Sequence, residues 1–251
     1  KYDFSYDNAL QLTGAPYQQS SGASSWASSY MDFSVNSMSY DLNGNIKSLN
    51  QNGFVLGGGP AIDNLNYYYQ NAEKSNKLQT VIDLSNNPTS KLGDFHYTGS
   101  KTPSSVDYGY DNNGNRTSDI NKSISAIEYN ELGLPRLITI AGKGTITYVY
   151  DAAGNKLRKT VLEPGAAVTH EGNSYVVDIE TVTTYFGNGF VYLKKSFNNP
   201  ALEELNVTDA LQFISQEEGR ARIVYPLYGQ SPYYAYDYFI RDRLGNVRVT
   251  L

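Results

Sequence analysis

The chain has no cysteine, two histidines, two methionines and one tryptophan among its 251 residues. Without cysteine it has no thiolate nucleophile, no disulfide and no thiolate-ligated zinc, and the redox compartment stays undecided. His96 and His170 lie in turn-rich polar stretches with no metal-ligand spacing and no nucleophile-elbow pattern. The reading therefore assigns no catalytic residue, no metal ligand and no cofactor, and the protein is expected not to be an enzyme. Charge is also scarce: 18% of residues, with 20 Lys and Arg against 25 Asp and Glu, for a net −5. Such a chain has no overall pull toward nucleic acid or an anionic membrane. No apolar run approaches the roughly 18 residues of a spanning helix. Nor is there a signal-peptide core of roughly 7–15 apolar residues. The opening on Lys1 rather than Met reads as a mature or trimmed piece.

What is abundant is tyrosine, 23 residues, which raises the aromatic share to 13%. Residues 108–160 show how it is used. They hold Tyr110-Asp111-Asn112-Asn113-Gly114-Asn115, then Tyr129-Asn130-Glu131-Leu132-Gly133, then Tyr150-Asp151-Ala152-Ala153-Gly154-Asn155. The tyrosines step by 129−110 = 19 and 150−129 = 21 residues, a period that marks repeated supersecondary units. Before the last turn, Ile146, Tyr148 and Tyr150 alternate with Thr145, Thr147 and Val149, the period-2 pattern of a strand. Asp151 suits the first position of a type I turn, where its carboxylate accepts from the amides ahead. Gly154 suits the position needing positive φ. Each unit reads as a β-hairpin.

The same grammar recurs along the chain. Residues 4–12 form a first unit, around Tyr6-Asp7, that lacks the turn glycine. Tyr40-Asp41-Leu42-Asn43-Gly44-Asn45 is a clear second. Residues 20–29 read as a Ser/Gly/Ala-rich loop or long hairpin end around Trp26, and Gly57-Gly58-Gly59-Pro60 as a break. The unit at Tyr67-Tyr68-Tyr69 is degenerate, and residues 86–102 read as an exposed polar loop. Past Val161 the step is lost, which suggests a division into a hairpin array over 1–160 and an irregular β segment over 161–251. Within the second part, Glu163-Pro164-Gly165 reads as a turn, 174–186 as strand and 185–192 as a tight hairpin. Residues 201–214 fit a short helix or strands equally. Asp242 and Gly245 repeat the turn spacing near the end.

Chemical motifs fare poorly beside these structural ones. Asp111-Asn112-Asn113-Gly114-Asn115 resembles a calcium loop, but its glycine stands fourth rather than sixth and Lys122 occupies the place of the closing acid. Gly57-Gly58-Gly59 lacks the Lys-Ser/Thr of a phosphate loop. Lys156-Leu157-Arg158-Lys159 reads as a solvated strand face. Glu203-Glu204 and Glu217-Glu218 fall in turns or short elements with no glycosidase spacing.

The Tyr-Asp-x-x-Gly-Asn units at 40–45, 110–115 and 150–155 resemble the YD repeats of the Rhs family, which includes insecticidal toxin-complex proteins and teneurins. Arg241-Asp242-Arg243-Leu244-Gly245-Asn246-Val247-Arg248 is similar to the start of the Rhs-associated core, where His is common in place of Arg243. The resemblance covers nearly the whole chain. It implies an all-β fold of repeated long antiparallel hairpins in a twisted, spiralling open sheet that forms part of a shell. It implies a non-catalytic role, a secreted or cell-surface location in the bacterial envelope, and two partners: the rest of the same Rhs polypeptide and its C-terminal toxin cargo. It also places the family's self-cleavage segment, an Asp-Pro-x-Gly run, beyond Leu251, so no cleaving aspartate is assigned. A different function, carbohydrate binding or adhesion, rests on tyrosines set beside Asn and Asp, although cross-strand packing accounts for the same placement. The strand-like Val249-Thr250-Leu251 is a candidate edge for self-association.

Overall fold

The computed structural model describes residues 1–22, 25–27, 31–54, 61–86, 94–225, 231–242 and 245–251. The Gly57-Gly58-Gly59-Pro60 break, part of the loop around Trp26, residues 87–93 of the expected 86–102 loop, and Arg243 and Leu244 of the last turn lie outside the described residues. The chain is nearly all β and falls into two compact units, Lys1–Ser123 and Ile124–Leu251.

The first unit holds β1 (Ser5–Tyr6), β2 (Leu12–Gly14), β3 (Gln19–Gly22), β4 (Ser25–Ala27), β5 (Val35–Tyr40) and β6 (Ile46–Asn52). These are followed by β7 (Ala61–Tyr69), the one-turn helix α1 (Gln70–Glu73), β8 (Leu78–Asp83), β9 (Tyr108–Tyr110) and β10 (Arg116–Asp119). Neighbours in sequence pair antiparallel: β1 with β2, β3 with β4, β9 with β10, and β5 to β8 as a four-stranded sheet. Its core gathers Leu65, Val81 and Tyr108, with Leu49, Tyr67, Leu78, Phe95 and Tyr110 packed around them. Burying side chains of this size removes apolar surface from water at about 25 cal/mol per Å².

The second unit continues with β11 (Ile124–Tyr129), β12 (Pro135–Ile140), β13 (Gly144–Tyr150), β14 (Lys156–His170) and β15 (Asn173–Tyr185). It ends with β16 (Phe190–Phe197), β17 (Val207–Gln216), β18 (Gly219–Val224), β19 (Tyr233–Arg241) and β20 (Val247–Thr250). From β12 onward each strand pairs antiparallel with the one before it, and among the described residues β20 has β19 on one side only. Residues 201–214 hold both of the structures their sequence allows. A 3₁₀ turn at Pro200–Leu205, capped by the Asn199 side chain, buries Leu202 against Val177 and Ile179, and β17 follows.

One expectation is corrected by this topology. Glu163-Pro164-Gly165 is not a chain reversal but a bulge inside β14, where the register against β15 shifts between Glu163 and Ala166. Proline cannot donate to the ladder, so the bulge places it where no ladder bond is needed. The Gly165 amide instead donates to Asp178 Oδ1 at 2.9 Å. Position 160/161 falls within β14, where the strand pairs with both β13 and β15. Loss of the motif spacing there is not loss of the sheet.

Candidate functional site

The feature that recurs through both units is the turn. At Asp151 the carboxylate Oδ1 accepts from the amides of Ala153 (2.9 Å) and Asn155 (2.8 Å), while Oδ2 accepts from Asn155 Nδ2 (2.8 Å). The backbone closes the loop with Gly154 N donating to Asp151 O and Asp151 N to Asn155 O. Asp41 and Asp111 reproduce every one of these bonds with Asn43, Asn45, Asn113 and Asn115. Gly44, Gly114 and Gly154 stand at φ +82°, +85° and +84°. A side chain in that left-handed conformation costs about 1–2 kcal/mol, which is the physical reason for glycine there. Asn130 plays the Asp part with the amides of Leu132 and Leu134, with Gly133 at φ +71°. Asp242 binds Asn246, with Gly245 at φ +85°, and adds an ion pair to Arg248 at 2.7 Å. Hydrogen bonds from the following asparagine, above all its side chain, hold Asp41, Asp111 and Asp151 below the ordinary carboxylate pKa.

The first unit completes the series with a substitution. Asp7 accepts from the amides of Ala9 and Gln11, and Leu10 takes the left-handed position at φ +61°. The turn forms without glycine, at the cost of strain on an exposed leucine.

Four of the tyrosines that precede turns or loops share a role that their sequence position conceals. Tyr40 Oη donates to the carbonyl of Leu12 at 2.8 Å, and Leu12 directly follows the Asp7–Gln11 turn. Tyr69 Oη donates to Ile46 O at 2.8 Å, just past the Asp41–Asn45 turn. Tyr110 Oη donates to Leu78 O at 3.0 Å, just past the loop closed by Gln70 N and Lys77 O. Tyr150 Oη donates to Pro135 O at 3.1 Å, just past the Asn130–Leu134 turn. Four hairpins are thus latched to the first residue after the preceding turn or loop. The turns also stack, since a Cβ on Gly44, Gly114 or Gly154 would meet Gln11, Lys77 or Leu134, the last residue of the turn before.

Outside the turns, the first unit carries a buried ionic node. Lys101 Nζ lies 2.7 Å from Asp107 Oδ2 and 3.2 Å from Val81 O, and sits 4.1 Å over the Tyr97 ring. Burial works against the Asp107 carboxylate, but hydrogen bonds from Lys101 and Thr80 outweigh it and keep its pKa low. Residues 94–102 do form a loop, with His96, Thr98, Ser100 and Thr102 exposed, but it is pinned from within: Phe95 packs against the core, the Lys101 side chain is buried, and Tyr97 Oη donates to Asp83 O. A cleft of about 590 Å³ beside the node is lined by Asn86, His96, Tyr97, Thr98, Ile120 and Asn121. Asn86 and Asn121 are already committed to Tyr97 and Lys101.

The sequence reading missed two groupings of acidic and histidine side chains. His170, Glu171 and Glu204 meet at the β14–β15 turn, where Glu171 and Glu204 are exposed. Asp63, Asp83 and Asp94 meet in the interior of the first unit, with ligand-capable oxygens within 4.8 Å of one another. Burial, then Asp94 and Asp83 beside it, push the Asp63 carboxyl up to about 6. The available signal was an acid next to apolar strand residues, as in Ile62-Asp63 and Val81-Ile82-Asp83.

No known family model and no curated protein matches this sequence. Solved structures do match. The chain is similar to the crystal structure of TcdB2-TccC3 (TM-score 0.56, 16% identity) and to that complex without its hypervariable C-terminal region (0.57, 15%). It is also similar to the Photorhabdus luminescens Tc holotoxin pore carrying a TccC3 mutation (0.55, 15%). Each match covers all of this chain and 11% of the other. At this identity the likeness is one of all-β fold alone, and the chain spans about a tenth of the length of the chains it matches.

Proposed function

We propose that this chain is a non-catalytic wall segment of a secreted or cell-surface Rhs-type protein, where it helps enclose a C-terminal toxin or effector. The observation that carries the reading is the latch. Hydroxyl-to-carbonyl bonds from Tyr40, Tyr69, Tyr110 and Tyr150 to the preceding turn or loop join hairpins side by side, which is what a continuous wall requires. The fold likeness to TcdB2-TccC3 along the whole chain supports it. The partners proposed are the rest of the same polypeptide and its cargo. No helix among the described residues is long and apolar enough to cross a membrane.

Electron cryo-microscopy of the natural protein that contains this chain tests the proposal. The expected map shows these hairpins as one stretch of a curved wall with a filled or hollow interior on one side. Both sheet faces open to bulk solvent in that protein would contradict it, as would hydrolase turnover lost on changing one acid of this segment.

A carbohydrate-binding surface is the second reading, favoured by one stripe of β19. Tyr234, Tyr236 and Tyr238 alternate along the strand and are each more than half exposed, so their rings are free to stack on sugars. Glycan-array binding that disappears in Tyr236→Ala would support this reading over the wall.

A further inference from the structure

We propose that Asp63, Asp83 and Asp94 form a binding site for a divalent cation of the calcium type. The three come from separate places in the first unit. Asp63 lies near the start of β7, Asp83 ends β8, and Asp94 begins the segment that returns to pack Phe95 into the core. One oxygen from each lies within 4.8 Å of the other two. Oxygens about 2.3–2.6 Å from a shared calcium ion span up to that separation.

The arrangement is built rather than incidental. Asp63 and Asp83 are 4% and 2% exposed, and backbone amides aim them. Phe95 N donates to Asp63 Oδ1 at 2.9 Å, while Asn64 N and Ser85 N donate to Asp83 Oδ1 at 2.8 and 2.9 Å. Outer donors of this sort fix ligand orientation in metal sites. Asp94 differs from both. Its side chain is fully buried, yet neither carboxylate oxygen accepts a hydrogen bond. His96 Nε2 lies 3.1 Å from Asp94 Oδ2, outside hydrogen-bond geometry. Among the described residues no lysine or arginine pairs with any of the three acids. A buried carboxylate that accepts no hydrogen bond is costly, and three acids together are more so unless a positive charge sits between them.

The donor set identifies the ion. The three groups that converge are all carboxylates, which suits a hard cation over zinc or copper, and His96 Nε2 stands behind Asp94 Oδ2. Three carboxylates from two strands and a loop do not present an octahedron, and calcium tolerates irregular, higher coordination better than magnesium. Waters would complete the shell.

The test uses the 251-residue chain after chelator treatment, titrated with CaCl₂ by calorimetry and melted with and without the ion. Asp94→Asn is the diagnostic variant, because Asp94 makes no hydrogen bond whose loss would unfold the chain. Glu204→Gln, in the exposed cluster, is the control. One calcium should bind the parent chain and Glu204→Gln, raising Tm by about 5–10 °C at a hundred-fold excess over Kd. Asp94→Asn should lose at least ten-fold in affinity and most of the Tm shift. Absence of heat and shift in the parent chain would overturn the site. So would calcium binding that survives Asp94→Asn, or that disappears in Glu204→Gln instead. A magnesium response equal to that of calcium would overturn the assignment of the ion.

Discussion

At the residue scale the account turns on one carboxylate and one backbone conformation. Leu10 occupies the place that glycine holds in the other turns, at φ +61° with its side chain 83% exposed. Removing that side chain relieves left-handed strain and gives up little burial, while glycine adds freedom to the unfolded chain. Leu10→Gly should therefore stabilise the protein by about 0.5–1 kcal/mol, read as a higher urea midpoint at unchanged slope. The turn aspartates set a pH dependence of definite sign. Asp41, Asp111 and Asp151 have folded pKa values below the ordinary 3.8, chiefly because the Asn45, Asn115 and Asn155 side chains donate to the ionised form. The unfolded state takes up protons first as acid is added. Their contribution is complete above pH 3.8 and is lost as pH falls through the lower folded values. Urea midpoints at pH 6 and pH 3 should fall further in the parent chain than in a triple variant with Asn at 41, 111 and 151. Asn130 already makes the same two amide bonds without a charge. An equal fall in both proteins would remove the turn aspartates as the cause.

At the element scale, what the sequence made legible was local and what it hid was distant. The alternation of Thr145 to Tyr150 and the Asp-x-x-Gly spacing act within a few residues, so strand and turn could be read directly. The latch could not be, since the partner of Tyr40 is a carbonyl 28 positions away and carbonyls carry no side-chain signature. The acid cluster was hidden in the same way, because Asp63, Asp83 and Asp94 converge only through the pairing of β7 with β8 and the return of the chain. Glu163-Pro164-Gly165 misled for the opposite reason: strong turn chemistry was absorbed as a bulge by a strand that goes on pairing with β15 on either side of it. The latch gives the element scale its prediction. Tyr40→Phe keeps the ring and removes the bond to Leu12 O, so it should cost about 0.5–1.5 kcal/mol by urea denaturation. A cost near zero would mean that the ring alone explains the conserved spacing of tyrosine and turn along this chain.

At the scale of the whole molecule, the buried apolar residues are few and scattered among the strands, with Val177, Ile179 and Leu202 the main group of the second unit. Cooperation between hairpins then falls to ladder bonds and latches more than to a thick core. That is the central claim, and it bears directly on the wall proposed for this segment, since a wall of independently fraying hairpins would not retain cargo. Native-state hydrogen exchange on Tyr150→Phe tests it most directly. The bond removed joins β13 to Pro135 at the start of β12. The account predicts about 2- to 10-fold faster exchange of the closing amides in both neighbouring turns, Asn130 and Leu134 as well as Asp151 and Asn155. Faster exchange confined to Asp151 and Asn155, with Asn130 and Leu134 unchanged, would contradict it.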